Sequence, residues 1–338
     1  MKAFIHEIKE NENVDSFFLV REKSSGLTKT GNVYLKVKLG DRSGEIEGRI
    51  WTSVETLIES FGRDDFVHVK GKAVSFQDHL QININQIERT GEEGIELSDF
   101  FPKTERDIEE MMKSLMEISK QVKNPYLRQL LFLFWEDHSF LERFRMAPAS
   151  KWIHHNYLGG LLEHTLSLAE LVLKNSPHYK GLNLDLLMAG AILHDLGKID
   201  ELSYRRSLDY SDEGRLLGHI VLGIERIEDK IRQVTDFPKD LATLVKHLIL
   251  SHHGQDIWGS PKKPMTLEAV MLHYLDDMDA KINGIQQFIK VQLPEGAKWS
   301  AYHRMFDQSF YVPTPWENLE PNEKTGENES EEPKYATS

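Results

Sequence analysis

The 338-residue sequence contains no cysteine. Disulfides and thiolate-bound metals are therefore excluded, and a metal ion would have to be held by histidine and carboxylate side chains. The sequence also lacks an apolar run of about 18 residues, which a membrane-spanning helix needs, and its first residues lack the apolar stretch of a secretory signal. We therefore expect a cytoplasmic protein without a membrane partner.

Positive charge is also scarce. The formal net charge is -13, from 41 Lys and Arg residues against 54 Asp and Glu residues, and this argues against a uniformly basic nucleic-acid-binding coat. The deficit is uneven, because residues 1–90 carry 13 basic and 14 acidic side chains, whereas residues 317–338 carry 2 and 7. The nearly neutral N-terminal part leaves room for a local basic groove.

Residues 14–90 contain short, partly alternating runs that are rich in β-branched and aromatic residues. Five runs predict strands: VDSFFLVRE, NVYLKVKLGD, GEIEGRIW, DDFVHVKGKAV and LQININQIE. Residues 53–60, between the third and fourth runs, predict a short helix. Five strands with a helix late in the series predict a small barrel of the OB type, which commonly binds single-stranded nucleic acid. A small barrel without a ligand is the alternative.

Beyond the barrel, the apolar spacing changes from two to between three and four residues, which predicts helices. The predicted helices span residues 105–122, 126–138, 161–174, 184–196, 239–251 and 266–289. The predicted fold is therefore a multidomain α and β protein. It consists of an OB-like barrel over residues 1–92, a linker over 93–104, an all-α helical bundle over 105–316 and a disordered acidic tail over 317–338.

The most informative pair in the helical region is His194 with Asp195, at the end of an apolar helix. A lone helical histidine is usually a core or surface residue, but a carboxylate buried there is costly without a cation or strong donors. A bridging carboxylate can hold two metal ions, which suits phosphoester hydrolysis. Lys198, about one turn later, is placed to contact a phosphate. An ordinary lysine at a helix C-terminus is the alternative.

Seven side chains of the helical region resemble the metal signature of the HD-domain phosphohydrolase superfamily and of its two-metal branch, which includes cyclic-dinucleotide phosphodiesterases. They are His164, His194, Asp195, His219, His252, His253 and Asp276. The Gly-Tyr-Pro extension of that branch is absent after Gly254. Gly160 stands where some of these enzymes have a glutamate that supports a third metal ion. The resemblance thus implies two ions rather than three.

Several sequence motifs in residues 10–312 also resemble those of the YhaM-type 3′→5′ exoribonucleases of Gram-positive bacteria, whose HD domain follows an OB-like barrel. The motifs are GGLLEHTL, AILHDLGKI, LILSHHG and LHYLDDMDAKI. This resemblance implies hydrolysis of single-stranded RNA, and often of DNA, from the 3′ end. It implies manganese as the preferred ion. Iron, cobalt, nickel, zinc and magnesium are alternatives that suit imidazole and carboxylate ligands.

The resemblance also implies a role for each side chain. One ion would be held by His164, His194, Asp195 and Asp276. The other would be held by Asp195, His219 and one or both of His252 and His253. Asp195 and Lys198 are the expected catalytic residues, and Asp279, one turn beyond Asp276, is expected to support the ligands.

A barrel that binds a single strand needs aromatic rings and cations on one exposed face. The alternation of the second predicted strand places Tyr34, Lys36 and Lys38 on the same face, and Trp51 is a further candidate ring. Because small barrels also need aromatic cores, rings buried in the barrel are the alternative for these positions.

His154 and His155 precede the first ligand helix. They are candidates to contact the scissile phosphate, with ordinary surface histidines as the alternative.

The sequence leaves three functions open. The first is a metal-dependent exonuclease acting on 3′ ends of single-stranded RNA or DNA. The second is an HD phosphohydrolase acting on a small nucleotide or cyclic dinucleotide. The third is a nucleic-acid-binding regulator with an inactive HD domain, against which the intact series of ligands argues. The oligomeric state, self-association included, is also open.

Overall fold

The computed structural model describes residues 2–28, 30–91, 93–151, 155–204, 206, 208–256, 259–294 and 296–313. The chain divides into two compact units after Lys281. The predicted acidic tail, residues 317–338, lies outside the described residues. Within the described part of the chain, we find no helix with the length and apolar character needed to span a membrane.

The N-terminal residues form a closed five-stranded barrel. Its strands are β1 (Asn13–Leu27), β2 (Val33–Asp41), β3 (Gly44–Ile50), β4 (Phe66–Phe76) and β5 (His79–Arg89), with the short helix α1 (Val54–Leu57) between β3 and β4. The strand order is β1-β2-β3-β5-β4, and only the β3–β5 pairing among these is parallel. The number of strands and the late helix confirm the predicted OB-type barrel.

Alternation along the strands separates the barrel core from its outer face. On β2, Leu35, Val37 and Leu39 are buried, whereas Lys36 between them is exposed. Successive side chains of a strand point to opposite sides. The barrel is therefore filled by aliphatic side chains and Phe18, which leaves its outer face for polar and ring-bearing residues.

The rest of the first unit is mainly helical. Its helices are α2 (Ile108–Ser119), α3 (Pro125–Trp135), α4 (His138–Met146), α5 (Gly160–Asn175), α6 (Leu184–Leu193), α7 (Lys198–Glu201), α8 (Asp212–Ile231), α9 (Lys239–Ser251) and the first part of α10 (Leu267–Gln292), which continues past Lys281 into the second unit. Two short strands, β6 (Leu202–Ser203) and β7 (Asp209–Tyr210), form a hairpin between α7 and α8. Helix α6 is the most apolar, and residues 186–193 are all buried.

Two helix predictions need correction. The helix predicted over residues 126–138 ends at Trp135, because Asp137 accepts a hydrogen bond from the backbone N–H of Phe140 and caps a separate helix, α4, which was not predicted. Helix α8, which carries His219, was not predicted as a helix. Its apolar periodicity is interrupted at Gly218, where the backbone leaves the helical conformation.

The segment predicted as a linker, residues 93–104, is packed rather than loose. Phe100 and Phe101 are buried in the main hydrophobic core together with Leu19 and Phe66 of the barrel. The Arg21 guanidinium donates to the Phe100 carbonyl at 3.3 Å. The barrel and the helices of the first unit therefore share one continuous core at this segment.

Candidate metal centre

Five helices contribute the predicted metal-binding side chains. They are His164 on α5, His194 and Asp195 at the end of α6, His219 within α8, His252 and His253 at the end of α9, and Asp276 on α10. The turn after α6 approaches α8 so closely that a Cβ at Gly197 would overlap the carbonyl oxygen of His219. Glycine at this position therefore allows Asp195 to approach His219.

Four of these side chains surround one point. His164 Nε2 lies 3.2 Å from His194 Nε2 and 3.1 Å from Asp276 Oδ1. Asp195 Oδ2 lies 3.2 Å from His194 Nε2 and 3.6 Å from His164 Nε2. Ligands bound at about 2.1 Å to a tetrahedral or octahedral metal ion are about 3.0–3.4 Å apart. The four atoms are therefore spaced much like a coordination shell, and we call them the first group.

Asp195 presents its other oxygen to a second group. Asp195 Oδ1 lies 3.6 Å from Nε2 of both His219 and His252. The ring nitrogens of His219, His252 and His253 lie within 4.8 Å of one another. Among the described residues, Asp195 Oδ1, His219 Nε2 and His252 Nε2 have no hydrogen-bond partner although they are buried. Because buried polar atoms are normally satisfied, three that converge fit a cation as their common partner.

Four imidazoles are oriented so that Nε2 faces the centre. In each, Nδ1 contacts an oxygen acceptor, which leaves the lone pair of Nε2 available for a metal ion. The pairs are His164 with Asp279 Oδ2 at 2.7 Å, His194 with the Ala191 carbonyl at 2.9 Å, His219 with Glu201 Oε1 at 3.0 Å, and His252 with the Ile249 carbonyl at 2.8 Å. The same orientation in four rings from four helices is the pattern expected of metal ligands.

The charges of the cluster are strongly coupled. Burial raises the pKa values of Asp195 and Asp276, but neighbouring histidines, and for Asp195 also Lys198, bring them well below the usual range. Burial lowers the pKa of His194, whereas Asp195 and Asp276 raise it, to about 10 overall. Burial and two neighbouring imidazoles lower the pKa of His253 to about 3. The carboxylates are thus ionised, and a cation binding to His194 displaces a proton.

The predicted catalytic lysine lies against the first group. Lys198 Nζ is 2.6 Å from Asp195 Oδ2, and the side chain is buried. Burial lowers the pKa of Lys198, but the carboxylates of Asp195, Asp276 and Glu201 together raise it further, so the net shift is upward and the ammonium is charged. A charged donor beside the shared carboxylate is well placed to contact a phosphate oxygen.

A break in α8 determines the position of His219. Gly218 adopts φ 74° and ψ 159°, so the helix is interrupted immediately before His219. Glu201 Oε1 accepts hydrogen bonds from both the backbone N–H and Nδ1–H of His219, each at 3.0 Å. Glu201 was not identified from the sequence. The one available signal was a carboxylate at the end of the short helix that begins with Lys198.

We expect Glu201→Ala to weaken the binding of one of two divalent ions by about 10–100-fold, because Nδ1 of His219 loses the acceptor that orients its ring. Glu201→Gln retains an oxygen there and should bind both ions nearly as the native protein does. Calorimetric titration with Mn²⁺, followed by metal analysis after gel filtration, measures the affinity and the number of ions. Glu213→Ala, at an exposed carboxylate in the first turn of α8, is the control. Two unchanged sites in Glu201→Ala would contradict this positioning role.

His155 is not a surface histidine, which was the alternative for this residue. It is buried, and its ring lies 3.3 Å from Asp279 Oδ2. Asp279 also accepts hydrogen bonds from Nδ1 of His164 and from Ser167 Oγ. His155 thus supports Asp279, which orients His164, and its contact with the scissile phosphate stays a prediction. His154, the other candidate for the phosphate, lies outside the described residues.

The two rings predicted to contact nucleic acid lie together on the outside of the barrel. The ring centroids of Tyr34 and Trp51 are 4.9 Å apart, and the Arg49 guanidinium lies 5.0 Å from the Tyr34 ring. Trp51 is 49% exposed, and its Nε1–H donates to Asn83 Oδ1 at 3.3 Å. These rings are held in place and accessible, as a stacking surface requires.

The two predicted lysines share the outer face of β2, but each pairs with a glutamate of β3. Lys36 Nζ lies 2.6 Å from Glu47 Oε2, and Lys38 Nζ lies 2.5 Å from Glu45 Oε2. Exposed pairs of this kind contribute little to stability, but their charges largely cancel. A local basic groove, for which the sequence leaves room, is therefore not formed by these two lysines, and the adjacent rings are the stronger candidates.

Three solved structures are similar to the barrel region. The second OB-fold domain of replication protein A from Methanococcus maripaludis has 21% identity and a TM-score of 0.22, and the match covers 26% of this chain and 94% of that chain. Single-stranded DNA binding protein from Thermus aquaticus has 17% identity and a TM-score of 0.22, and the match covers 24% of this chain and 40% of that chain. Mitochondrial single-stranded DNA binding protein from S. cerevisiae has 14% identity and a TM-score of 0.21, and the match covers 24% of this chain and 97% of that chain. TM-scores this low give no support to a function for this chain.

Two family models match the chain. Residues 161–281 match the HD domain, and residues 19–90 match the OB-fold nucleic acid binding domain described as tRNA_anti-codon. The first match spans every predicted metal ligand, and the second spans most of the barrel. An HD domain indicates a metal-dependent phosphohydrolase. With the groups of histidines and carboxylates able to hold metal ions, the two matches indicate a nucleic-acid-binding, metal-dependent hydrolase.

Proposed function

We propose that this chain is a metal-dependent 3′→5′ exonuclease, which hydrolyses phosphodiester bonds of single-stranded RNA, and also of DNA, to nucleoside monophosphates. The observation that carries the proposal is the position of Asp195, whose two oxygens face two different groups of imidazoles. The OB-type barrel at the N-terminus supports a polymeric substrate. The 3′→5′ direction and RNA as a substrate are what the resemblance to the YhaM-type enzymes implies.

Two divalent ions at this centre, most suitably manganese, would activate water and neutralise charge on the phosphate oxygens. The first group would hold one ion, and Asp195 with His219, His252 and His253 would hold the other. Lys198 would donate to a non-bridging oxygen of the scissile phosphate. The oxygen of water bonds to phosphorus as the bond from phosphorus to O3′ breaks. A nucleoside 5′-monophosphate leaves, and O3′ of the shortened strand takes up a proton.

The direct test is incubation of 5′-labelled single-stranded RNA and DNA with the protein and Mn²⁺ or Mg²⁺. We expect a ladder that shortens from the 3′ end, with mononucleotides as the released product and no reaction in excess chelator. A 3′-phosphate-blocked strand is the matched substrate control, because it keeps the sequence and changes only the terminus. Products cut internally, or a ladder that depends on the 5′ end, would contradict the proposed direction.

We expect Trp51→Ala to raise KM for a single-stranded oligonucleotide by about 10-fold with little change in kcat, because base–aromatic stacking is worth about 1–3 kcal/mol per base. Trp51→Phe should recover most of the loss. Steady-state kinetics on a labelled strand provide the measurement. Phe76→Ala, at a ring that is 57% exposed near the β4–β5 turn, is the control. An equal effect of both alanine variants would remove the special role of Trp51.

A second candidate is an HD phosphohydrolase that acts on a small nucleotide or cyclic dinucleotide. The ion pairs of Lys36 with Glu47 and of Lys38 with Glu45 favour this candidate. They neutralise the positive charge of this face, so it would attract a polyanionic strand only weakly. Deletion of the barrel is a poor test, since Phe66 lies in the core shared with the helices. The substitution Trp51→Ala is a more discriminating test than the deletion. If a small phosphodiester is the substrate, the native protein and this variant should both turn it over faster than any strand.

A further inference from the structure

The second unit contains a compact hairpin whose outer face carries exposed rings. Residues 298–312 run out and back, joined by hydrogen bonds from Ser300 N–H to the Phe310 carbonyl at 3.0 Å and from Val312 N–H to the Lys298 carbonyl at 2.8 Å. A further antiparallel bridge joins His303 and Gln308. We call residues 298–312 the ring hairpin.

The ring hairpin has an inner and an outer side. On the inner side, the rings of Phe288, His303, Phe306 and Phe310 contact one another, with the Phe288 and His303 centroids 4.3 Å apart. Val312 is buried with them. Side chains alternate along paired strands, so Trp299 and Tyr311, which face each other across the bridge, point to the opposite side. The half-buried inner rings anchor the hairpin and hold the outer rings in place.

The outer side is unusually rich in accessible rings. Trp299 is 57% exposed and Tyr311 is 51% exposed, and their centroids lie 5.0 Å apart at an angle of 54°. Tyr302, immediately before the His303–Gln308 bridge, is 56% exposed, and its hydroxyl donates to Asp307. Large exposed rings cluster where a protein has something to bind. Because the rings are already held in place, binding a ligand costs less side-chain conformational entropy.

The charge of the ring hairpin points to the class of partner. Lys298 and Arg304 are exposed, and Asp307 is the one acidic residue between residues 298 and 312. This local excess of positive charge occurs in a chain whose net charge is -13. Exposed rings combined with cations are the two features that bind single-stranded nucleic acid, through base stacking and phosphate contacts. An apolar peptide would gain from the rings but not from the Arg304 guanidinium in the turn.

We propose that the outer face of the ring hairpin is a second binding surface for single-stranded nucleic acid, separate from the Tyr34–Trp51 pair of the barrel. The identity of the ligand rests on the proposed function, in which the substrate is a strand longer than the nucleotide being cleaved. Trp299 and Tyr311 stack on bases of that strand, and Arg304, exposed in the turn of the hairpin, contacts its phosphates. The surface increases affinity for long strands and takes no part in the hydrolysis itself.

The test measures binding of a fluorescein-labelled 20-nucleotide poly(U) strand to the full chain by anisotropy, in excess EDTA so that no strand is consumed. Trp299→Ala combined with Tyr311→Ala should weaken binding at least about 10-fold, in line with the loss of one or two stacked bases. Trp299→Phe with Tyr311→Phe should bind within about 3-fold of the native protein, because each keeps a ring. Tyr274→Ala removes a ring on α10 that is 65% exposed and is the matched control. Its affinity should equal that of the native protein.

The Arg304 guanidinium provides a second, independent measurement. The slope of log affinity against log salt falls by about 0.7 for each phosphate of a single strand that the protein no longer neutralises. Arg304→Ala should therefore reduce the slope by about 0.7, whereas Lys281→Ala, which removes a lysine paired with Asp277, should leave it unchanged. An unchanged slope in Arg304→Ala would overturn the role of this cation at the phosphates.

The outcomes separate this surface from the proposed hydrolysis. Equal strand affinity of the double ring variant and the Tyr274→Ala control overturns the proposal, even if the native protein degrades the strand with Mn²⁺. Loss of self-association in the ring variant, with strand affinity unchanged, overturns it in favour of a contact between copies of the chain. If the native protein does not degrade the strand but the rings still determine its affinity in EDTA, the exonuclease proposal fails and this surface stands.

Discussion

Asp195→Asn is expected to lower the rate of metal-dependent hydrolysis by at least about 1000-fold, the equivalent of about 4 kcal/mol of transition-state stabilisation. Asp195 contributes one oxygen to the first group and the other to the imidazoles of His219 and His252. An amide has one oxygen and no charge, so it cannot serve both groups. The expected consequence is the loss of both metal ions, or of their correct spacing, from one substitution.

Asparagine is preferred to alanine for this test because Asp195 is buried beside His194 and Lys198. Removing the whole side chain would leave a cavity as well as uncompensated charges, and breaking a buried pair costs about 3–5 kcal/mol. The isosteric variant keeps the volume, and far-UV circular dichroism with thermal melting in chelator confirms the fold. Initial rates and metal content are then measured together. Asp229→Asn, at an exposed carboxylate of α8, is the control.

Two results would contradict the bridging role of Asp195. The first is an asparagine variant with native metal content and native turnover. The second is a variant that binds one ion normally and loses only the other, since Asp195 would then belong to one group alone. A folded variant with neither ions nor turnover is the expected result. It would also exclude the regulator hypothesis, because an inactive HD domain has no activity to lose.

The barrel and most of the helices could be predicted because their signals are local. Alternation on β2 follows from Leu35, Val37 and Leu39 alone, and the ends of α6 and α9 follow from the residues that precede Gly197 and Gly254. The grouping of the metal-binding histidines came from a resemblance and from the cost of burying Asp195. Neither requires knowledge of which elements pack against each other.

The features that could not be predicted depend on contacts between distant residues. Glu47 and Glu45 neutralise Lys36 and Lys38 only because β3 pairs with β2 in one particular register. The contact of Glu201 with His219 depends on the break of α8 at Gly218. The sequence shows a glycine there but does not show that the helix is interrupted.

The burial of His155 also depends on contacts with distant residues, and the sequence does not show it. From the sequence it precedes the first ligand helix and could face solvent or substrate. In the structure, His155 and Ser167 converge on Asp279, which lies on a helix more than 100 residues later in the chain. The side chains that orient the candidate ligands are therefore dispersed along the sequence, whereas the candidate ligands themselves lie in recognisable sequence motifs. This explains why the sequence indicates the candidate ligands of the centre more completely than the side chains that support them.

Asp276 and Asp277 provide the sharpest comparison within the centre, because they are neighbours with different environments. Asp276 Oδ1 lies 3.1 Å from His164 Nε2 and 3.6 Å from His194 Nε2. Asp277 Oδ2 instead lies 2.7 Å from Nζ of Lys281, one turn later on the surface of α10. Adjacent residues of a helix point about 100° apart, so only one of the two can reach the first group.

We expect Asp276→Asn to reduce kcat by about 100–1000-fold and to remove one of two ions, because the first group loses its only charged ligand besides the shared Asp195. Asp277→Asn should change kcat by less than about 2-fold, since an exposed i,i+4 ion pair is worth about 0.3–0.5 kcal/mol. Stopped-time assays on a labelled strand, with metal content measured on the same samples, provide the comparison. Equal losses in the two variants would mean that helix α10 tolerates neither change. A loss confined to Asp277→Asn would place the ligand on the other face of α10 and contradict the centre described here.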